Sequence, residues 1–173
     1  MLISIEDLRM QVDCGNATDD QIAVRLEAIE GVIRQYTNNN FQQRTARFIG
    51  HSEDIFVYGT PRFISVGDTV QISGSDVNDG LYVVNAVDND RIEVDRPLMS
   101  VEHNIVTKIH YPADVVQCAL DLFTWKQNMG SKVGIKSETL SRHSVTYEDS
   151  GSLFMGYPTG ILSGLRLYKK ARC

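Results

Sequence analysis

The chain has 173 residues, 42% of them hydrophobic and 23% charged, which is typical of a folded globular protein and excludes wholesale disorder. Its 22 acidic and 17 basic residues give a net charge of −5, which argues against a domain whose main role is to bind nucleic acid. No apolar run is long enough to cross a bilayer, and the first residues lack the pattern of a signal peptide. Together with three cysteines that have no motif spacing, this predicts a soluble protein made in a reducing cytoplasm.

Two helices are predicted in the first 45 residues. Ser4, with Asp7 three positions later, resembles a capping box and opens a short helix. Thr18 and Gln21 form a better capping box, and a run of three asparagines ends the helix that follows it. This helix has one apolar stripe with spacings of three and four residues, formed by Ile22, Leu26, Ile29, Ile33 and Tyr36.

Between 46 and 110 the hydrophobic period changes from helical to alternating. Asn78-Asp79-Gly80 and Asp88-Asn89-Asp90 have the composition of turns, because Gly, Asn and Asp tolerate positive φ. Five short runs rich in β-forming residues lie around these turns, namely Arg47–Ile49, Asp54–Tyr58, Thr69–Ile72, Leu81–Val84 and Arg91–Val94. About five or six short strands with this spacing predict a small antiparallel barrel or sandwich.

Helical periodicity returns after the β-rich region. Tyr111-Pro112 begins a helix that ends near Met129, with proline at its first position. Residues 131–141 are polar and predicted to be mobile, and His143–Tyr147 has the pattern of a short strand. Tyr157-Pro158 begins a final helix that runs to a basic end.

These patterns predict an α+β protein with two domains. Residues 1–45 and 111–173 together form a mostly helical bundle of about four helices, and residues 46–110 form an inserted small antiparallel β-barrel. The charges are divided unevenly between these regions. Residues 46–110 carry ten acidic and five basic residues, whereas residues 160–173 carry four basic residues and no acidic ones. An otherwise acidic protein therefore ends in a cationic segment.

No sequence pattern indicates catalysis, a cofactor or a metal. The histidines and cysteines lack metal-ligand spacing, and neither a glycine-rich phosphate loop nor a nucleophile elbow is present. Cys118 lies beside the apolar face of its helix and is interpreted as a buried structural thiol. Asp76, Asp79, Asp88 and Asp90 lie at two turns without the order of a calcium-binding loop, so they are interpreted as turn residues. The prediction is a protein without enzymatic activity.

The cationic segment 165–173 has two explanations that composition alone leaves open. Lys169 and Lys170 in a last helical turn interact favourably with the helix dipole. Apolar residues interleaved with these charges also suit docking into an acidic groove of another protein, with apolar anchors giving affinity and charges giving register.

The order and spacing of several segments outside 46–110 resemble a known family, the head–tail connector (adaptor or head-completion) proteins of long-tailed bacteriophages. The residues that carry the resemblance are Ile3–Leu8, Asp19–Asn38, Phe41, Tyr111–Val115, Trp125, Ser144–Tyr147, Tyr157-Pro158 and Tyr168–Arg172. The stretch from Val66 to Val84 looks like a small β-barrel module inserted in various phage structural proteins. Compact family members have a short loop in place of residues 46–110, so this chain is longer than they are by about 65 residues.

The resemblance implies a structural protein of the virion neck, assembled in the cytoplasm of a bacterial host. Family members form a ring, usually of twelve copies, beneath the portal protein after DNA packaging. The ring retains the genome and carries the next neck protein, a stopper or tail terminator, or the tail. DNA passes through the lumen without specific binding, which agrees with an acidic subunit, and no membrane is involved.

The resemblance also implies two interaction surfaces. In the family the C-terminal helix and tail commonly engage the portal, a role transferred here to Leu165, Tyr168, Lys169, Lys170 and Arg172. Ring formation needs apolar surface beyond the core of the subunit. Leu153, Phe154 and Met155 are the candidates for this subunit interface, whereas the stripe that begins at Ile22 is assigned to the core.

Two alternative functions are consistent with the sequence. One is a tail terminator or another head-completion protein at a different position in the neck. The other is a small ligand-binding β-barrel module, which Phe56, Tyr58 and Tyr82 on the short strands would serve. A ligand-binding module is expected to stay monomeric in the presence of a portal protein, whereas a connector forms a ring with it.

Overall fold

A computed structural model describes residues 2–129, 137–140, 143–146 and 153–171 of the chain. The chain forms two compact units. One comprises Asn40–Tyr111, and the other combines Leu2–Asn39 with Pro112–Cys173. The first is called the insert unit and the second the helical unit.

The helical unit begins with two helices, α1 (Ile5–Gln11) and α2 (Asp19–Thr37). Both predicted caps are confirmed. The Ser4 side chain accepts a hydrogen bond from the backbone N–H of Asp7 at 3.0 Å. Thr18 and Gln21 form a reciprocal capping box that satisfies two N–H groups at the start of α2. Four residues of the predicted apolar stripe are buried, namely Ile22, Leu26, Ile29 and Ile33.

The insert unit is a four-stranded antiparallel sheet. Its strands are β1 (Gln42–Tyr58), β2 (Thr69–Ser73), β3 (Gly80–Val87) and β4 (Arg91–Ile109), in the spatial order β1-β4-β2-β3 with an additional pairing between β3 and β4. The inward-facing residues of these strands form one core together with Ile64 from the connection between β1 and β2. Its members are Phe48, Val57, Ile64, Val70, Ile72, Val84, Ile92, Val94, Leu98 and Val106.

The predicted inserted β-barrel is wrong. Among the described residues β1 pairs with β4 alone, so the sheet keeps a free edge and does not close. Two runs predicted as separate strands, Arg47–Ile49 and Asp54–Tyr58, belong to the single 17-residue strand β1. The polar residues between them have the composition of a turn, but the strand passes through them with register shifts and a left-handed Asp54 at φ 53°.

Asn78, in the loop between β2 and β3, ties that loop to both long strands. Its side-chain amide lies 3.0 Å from the Ser52 hydroxyl, 2.9 Å from the Met99 carbonyl oxygen and 3.3 Å from Asn104 Oδ1. Its side-chain oxygen accepts a hydrogen bond from the Met99 N–H at 2.8 Å. The Asn104 amide in turn donates to the Ser52 hydroxyl at 3.1 Å and to the Gly50 carbonyl at 3.3 Å. The asparagine clasp is defined as the side chains of Ser52, Asn78 and Asn104 with the Met99 backbone. Its three side chains are buried, and their polar atoms all have hydrogen-bond partners.

The helical unit continues with α3 (Ala113–Met129), which begins directly after Pro112 as predicted. Two hairpins follow, formed by β5 (Ser137–Leu140) with β6 (His143–Thr146) and by β7 (Leu153–Phe154) with β8 (Tyr157–Pro158). Of the stretch 131–141, predicted to be mobile, all but β5 lies outside the described residues, as does Tyr147 at the end of the predicted strand.

The predicted final helix consists of two shorter elements, one turn of α-helix α4 (Thr159–Leu162) and the 3₁₀ helix Ser163–Tyr168. The Ser163 hydroxyl donates to the Gly160 carbonyl at 2.7 Å, a local bond that competes with continuation of the α-helix. Glycine at 160 and 164 also has low helix propensity.

The predicted helical bundle is also wrong. The described residues form four α-helices, and of these only α2 and α3, with 19 and 17 residues, exceed two turns. α2 packs against α3, and the short C-terminal elements pack on α3. The helical unit is therefore a helix pair with short flanking elements.

Replacing Asn78 by alanine should destabilise the insert unit by about 2–3 kcal/mol, because the Met99 N–H and the buried Asn104 Oδ1 each lose a hydrogen-bond partner. Urea denaturation followed by circular dichroism measures this loss. Asn89→Ala is the control, since Asn89 is exposed in the turn between β3 and β4. Equal midpoints for the two variants would contradict the role of the asparagine clasp.

Candidate functional site

The cysteines of the described region have the properties of structural thiols. Cys14 and Cys118 are both buried and free. Burial raises the pKa of the Cys118 thiol, with smaller contributions from the nearby carboxylates of Asp121 and Asp114, to about 11. The Cys118 Sγ lies 3.7 Å from the Ile161 carbonyl oxygen. This thiol is therefore protonated at neutral pH and is a poor nucleophile.

The acidic turn residues of the insert unit bind their own backbone. One Asp79 oxygen accepts hydrogen bonds from the Ser75 N–H at 3.0 Å and the Asp76 N–H at 3.1 Å. These backbone hydrogen bonds lower the pKa of Asp79, and the bond from the Ser75 N–H has the largest effect. Asp88 pairs with Arg91 at 2.9 Å. No group of three or more metal-ligating side chains occurs within the ranges that the structure describes.

The three aromatic residues considered for a ligand-binding barrel are engaged within the insert unit. The Arg91 guanidinium lies over the Phe56 ring at 4.6 Å. His51 stacks on Tyr58 with ring centroids 4.6 Å apart, and the Tyr82 hydroxyl donates to the Asn78 carbonyl at 3.0 Å. Because the sheet is also open, a ligand-binding barrel is not supported.

The C-terminal segment, defined as residues 163–171, is anchored to its own unit. Leu165 is only 2% exposed. The Tyr168 hydroxyl donates to the Asp114 carboxylate, 2.7 and 2.8 Å from its two oxygens, and this bond raises the pKa of Tyr168. The Lys170 N–H donates to the Thr37 carbonyl at 2.8 Å. The segment therefore has a defined path along the unit.

The asparagines that end α2 hold the other side of this segment. Asn38 adopts a left-handed conformation at φ 47°, and its amide donates to the carbonyls of Lys170 at 3.3 Å and Ala171 at 3.1 Å. The Asn39 amide donates to the Tyr168 carbonyl at 3.2 Å. Asparagine at a helix end is common because it tolerates this conformation. Its second role, binding residues more than 120 positions away, is visible only in the structure.

A pocket of about 290 Å³ opens between the end of α2, the β7–β8 hairpin and the C-terminal segment. Tyr36 and Phe154 meet edge to face in it, with ring centroids 5.4 Å apart. The Lys169 ammonium lies 3.9 Å from the centre of the Tyr36 ring. This pocket, called the C-terminal pocket, is lined by Gln35, Tyr36, Thr37, Asn38, Phe154, Lys169 and Lys170, and none of these is acidic.

The structure brings together residues from the two predicted interaction surfaces. Phe154, a candidate for the subunit interface, lies in the same pocket as Lys169 and Lys170, which were candidates for the portal interface. Leu153 is half-buried beside it, and Met155 is exposed.

The other residues predicted to contact the portal do not lie together on this surface. Leu165 packs inside the unit, so its side chain is not available to a partner, and Arg172 lies outside the described residues. Sequence reasoning missed Tyr36, which was assigned to the core stripe. Leu167 belongs to the apolar residues of the cationic segment but was not among those assigned to the portal interface, and it is 91% exposed between Arg166 and Tyr168. The usable signal for Leu167 was its position next to Arg166 in a segment without acidic residues.

No protein-family model matches the sequence, and no curated protein matches it. No helix among the described residues has both the length and the apolarity to span a membrane.

Cys118 should resist alkylation by iodoacetamide at pH 8 in the native protein, since its pKa of about 11 and its burial keep the thiol protonated and covered. Peptide mapping by mass spectrometry measures the modification, and unfolding in urea provides the positive control. Rapid labelling of Cys118 in the native protein would contradict the structural role.

Tyr168→Phe should loosen the C-terminal segment and raise the rate of tryptic cleavage after Lys169 and Lys170 by roughly threefold or more. Alkaline pH should act in the same direction as it rises through the raised pKa of Tyr168, because the phenolate is repelled by Asp114. Asp121→Ala is the control, since Asp121 bonds Gln117 on the same helix. An unchanged cleavage rate in Tyr168→Phe would show that the bond does not hold the segment.

Proposed function

We propose that this chain is a structural protein without enzymatic activity, a head–tail connector of a long-tailed bacteriophage. It forms a ring beneath the portal protein, retains the packaged DNA and carries the next neck protein or the tail. Its location is the neck of the virion. The proposal starts from the order of segments that resembles the connector family, from Ile3–Leu8 to Tyr168–Arg172.

The observation that carries the proposal is the exposed leucine on the anchored C-terminal segment. Leu167 is 91% exposed, and its neighbour Arg166 is also exposed. The backbone around it is held by Tyr168 and Lys170, so little ordering entropy remains to be lost on binding. An apolar anchor beside a positive charge on a preformed segment suits a docking contact with an acidic groove.

The charge distribution agrees with a ring around DNA. A lumen through which the genome slides is expected to avoid strong phosphate contacts, which are salt-dependent and resist movement. The chain has a net charge of −5, whereas residues 160–173 carry four basic residues and no acidic one. The positive segment is therefore assigned to the protein partner, and the acidic remainder of the subunit is compatible with the passage of DNA.

Leu167→Asp should lower the affinity for the portal protein at least about tenfold, because it replaces the apolar anchor by a charge of the same sign as the proposed groove. Arg166→Glu should weaken binding less and mainly slow association. Surface plasmon resonance with immobilised portal rings of the same phage measures both the affinity and the association rate. Val66→Asp is the matched control, since Val66 is 65% exposed in the insert unit.

Equal losses for Leu167→Asp and Val66→Asp would contradict the assigned surface. Failure of the unmodified protein to bind portal rings, together with binding to the tail tube, would contradict the connector position and support the tail-terminator alternative.

A further inference from the structure

The loop between β2 and β3 exposes both acidic and apolar side chains on the surface of the insert unit. Val77 is 64% exposed at its end, between the exposed carboxylates of Asp76 and Asp79. Met99, 66% exposed, lies beside this loop because Asn78 bonds both its N–H and its carbonyl. These four residues, Asp76, Val77, Asp79 and Met99, are called the acidic tip.

The acidic tip has a fixed shape. Asn78, between Val77 and Asp79, is buried in the asparagine clasp. The Asp79 carboxylate closes the turn on the backbone of Ser75, and the Val77 N–H donates to the Ser75 carbonyl at 2.7 Å. Because the backbone of the loop is already held, little backbone entropy is lost when its exposed side chains are covered.

The C-terminal pocket has the complementary chemistry. Tyr36 and Phe154 supply an aromatic wall, and Lys169 and Lys170 supply positive charge without an acidic residue in the lining. A volume of about 290 Å³ is at the small end for ligand pockets and suits one or two aliphatic side chains better than a large ligand.

We propose that the acidic tip of one copy of this chain docks into the C-terminal pocket of a second copy. Val77 enters beside Tyr36 and Phe154, and Asp76 pairs with Lys169. The strong division of charge within one chain favours a second copy as the occupant, since 46–110 carries ten acidic and five basic residues and 160–173 carries four basic residues and no acidic ones.

This contact is heterologous, because each copy offers a tip to one neighbour and a pocket to the other. Repetition of a heterologous contact closes into a ring or continues as an open chain. Closure into a ring rests on the proposed function, whereas the contact itself does not. A single contact of this size is weak, and it becomes effective where copies are concentrated, as on a portal.

Cysteine crosslinking between two variants tests the contact directly. Val77→Cys and Gln35→Cys, each in a Cys173→Ser background, are mixed at high concentration and treated with a short thiol crosslinker, alone and with portal rings. Gln35 is exposed and lines the C-terminal pocket. The expected result is a heterodimer, which is necessarily intermolecular because the two cysteines are on different chains.

Val66→Cys replaces Val77→Cys in the control mixture, because Val66 is 65% exposed in the same unit. Loss of the heterodimer with the control supports the contact. Equal yields with Val77→Cys and Val66→Cys, or no heterodimer either alone or on portal rings, would overturn it.

Charge reversal gives a second, independent measurement. Lys169→Glu in the Gln35→Cys chain should reduce the heterodimer yield about tenfold, and Asp76→Lys in the Val77→Cys chain should restore it. Arg25→Glu is the matched control, since it makes the same charge change at an exposed position of α2 outside the pocket lining. An equal reduction by Arg25→Glu, or no rescue by Asp76→Lys in a chain with normal circular dichroism, would overturn the pairing.

The outcomes separate this contact from the proposed function. Portal binding by chains that give no specific heterodimer refutes the contact and leaves the connector function standing. A specific heterodimer from chains that do not bind portal rings supports the contact and refutes the connector function.

Discussion

The organisation of the helical unit depends on how residues 163–171 attach to the end of α2. Asn38 and Asn39 donate to three carbonyls of this segment, and the Thr37 carbonyl accepts the Lys170 N–H. Tyr168 adds a charge-assisted bond to Asp114 on α3. These bonds join the two ends of the sequence in one unit. They also place Lys169 over Tyr36 and leave Leu167 in solvent, so both the pocket and the exposed anchor follow from the same attachment.

The asparagine clasp has the corresponding role in the insert unit. Asn78 and Asn104 are buried polar residues, and each is satisfied by groups on β1, β4 or the loop between β2 and β3. A buried polar network whose groups are all hydrogen-bonded costs little folding free energy and specifies one packing arrangement. A network with unpaired groups is strongly destabilising. The clasp lies where β1 and β4 are irregular, and it gives the acidic tip a defined conformation.

Local features were predictable from the sequence where the decisive interactions lie within one turn. The Thr18 capping box and the stripe beginning at Ile22 involve residues three or four apart, so they are visible in the pattern. The long strands were not predictable, because the polar residues before Asp54 suggest a turn and only pairing with β4 keeps them extended. Pro97 similarly suggests the end of a strand, but it lies in an irregular part of β4.

The candidate site was predictable in its chemistry and not in its arrangement. A segment with four basic and no acidic residues identified Lys169 and Lys170, and apolar composition identified Phe154. That these residues share a pocket with Tyr36 depends on contacts between positions more than 100 residues apart, which no periodicity records. Leu165 and Leu167 are the same residue type in the same cationic segment. Only the packing of the 3₁₀ helix buries the first and exposes the second.

The central claim is that this protein acts by assembling on a portal through its C-terminal segment. Electron microscopy of the protein incubated with portal rings of the same phage tests it most directly. The account predicts a ring of subunits stacked on the portal, with Leu167 at the contact between the two proteins. Portal rings that remain bare at saturating protein concentration, or a ring that meets the portal through a surface without the C-terminal segment, would contradict it.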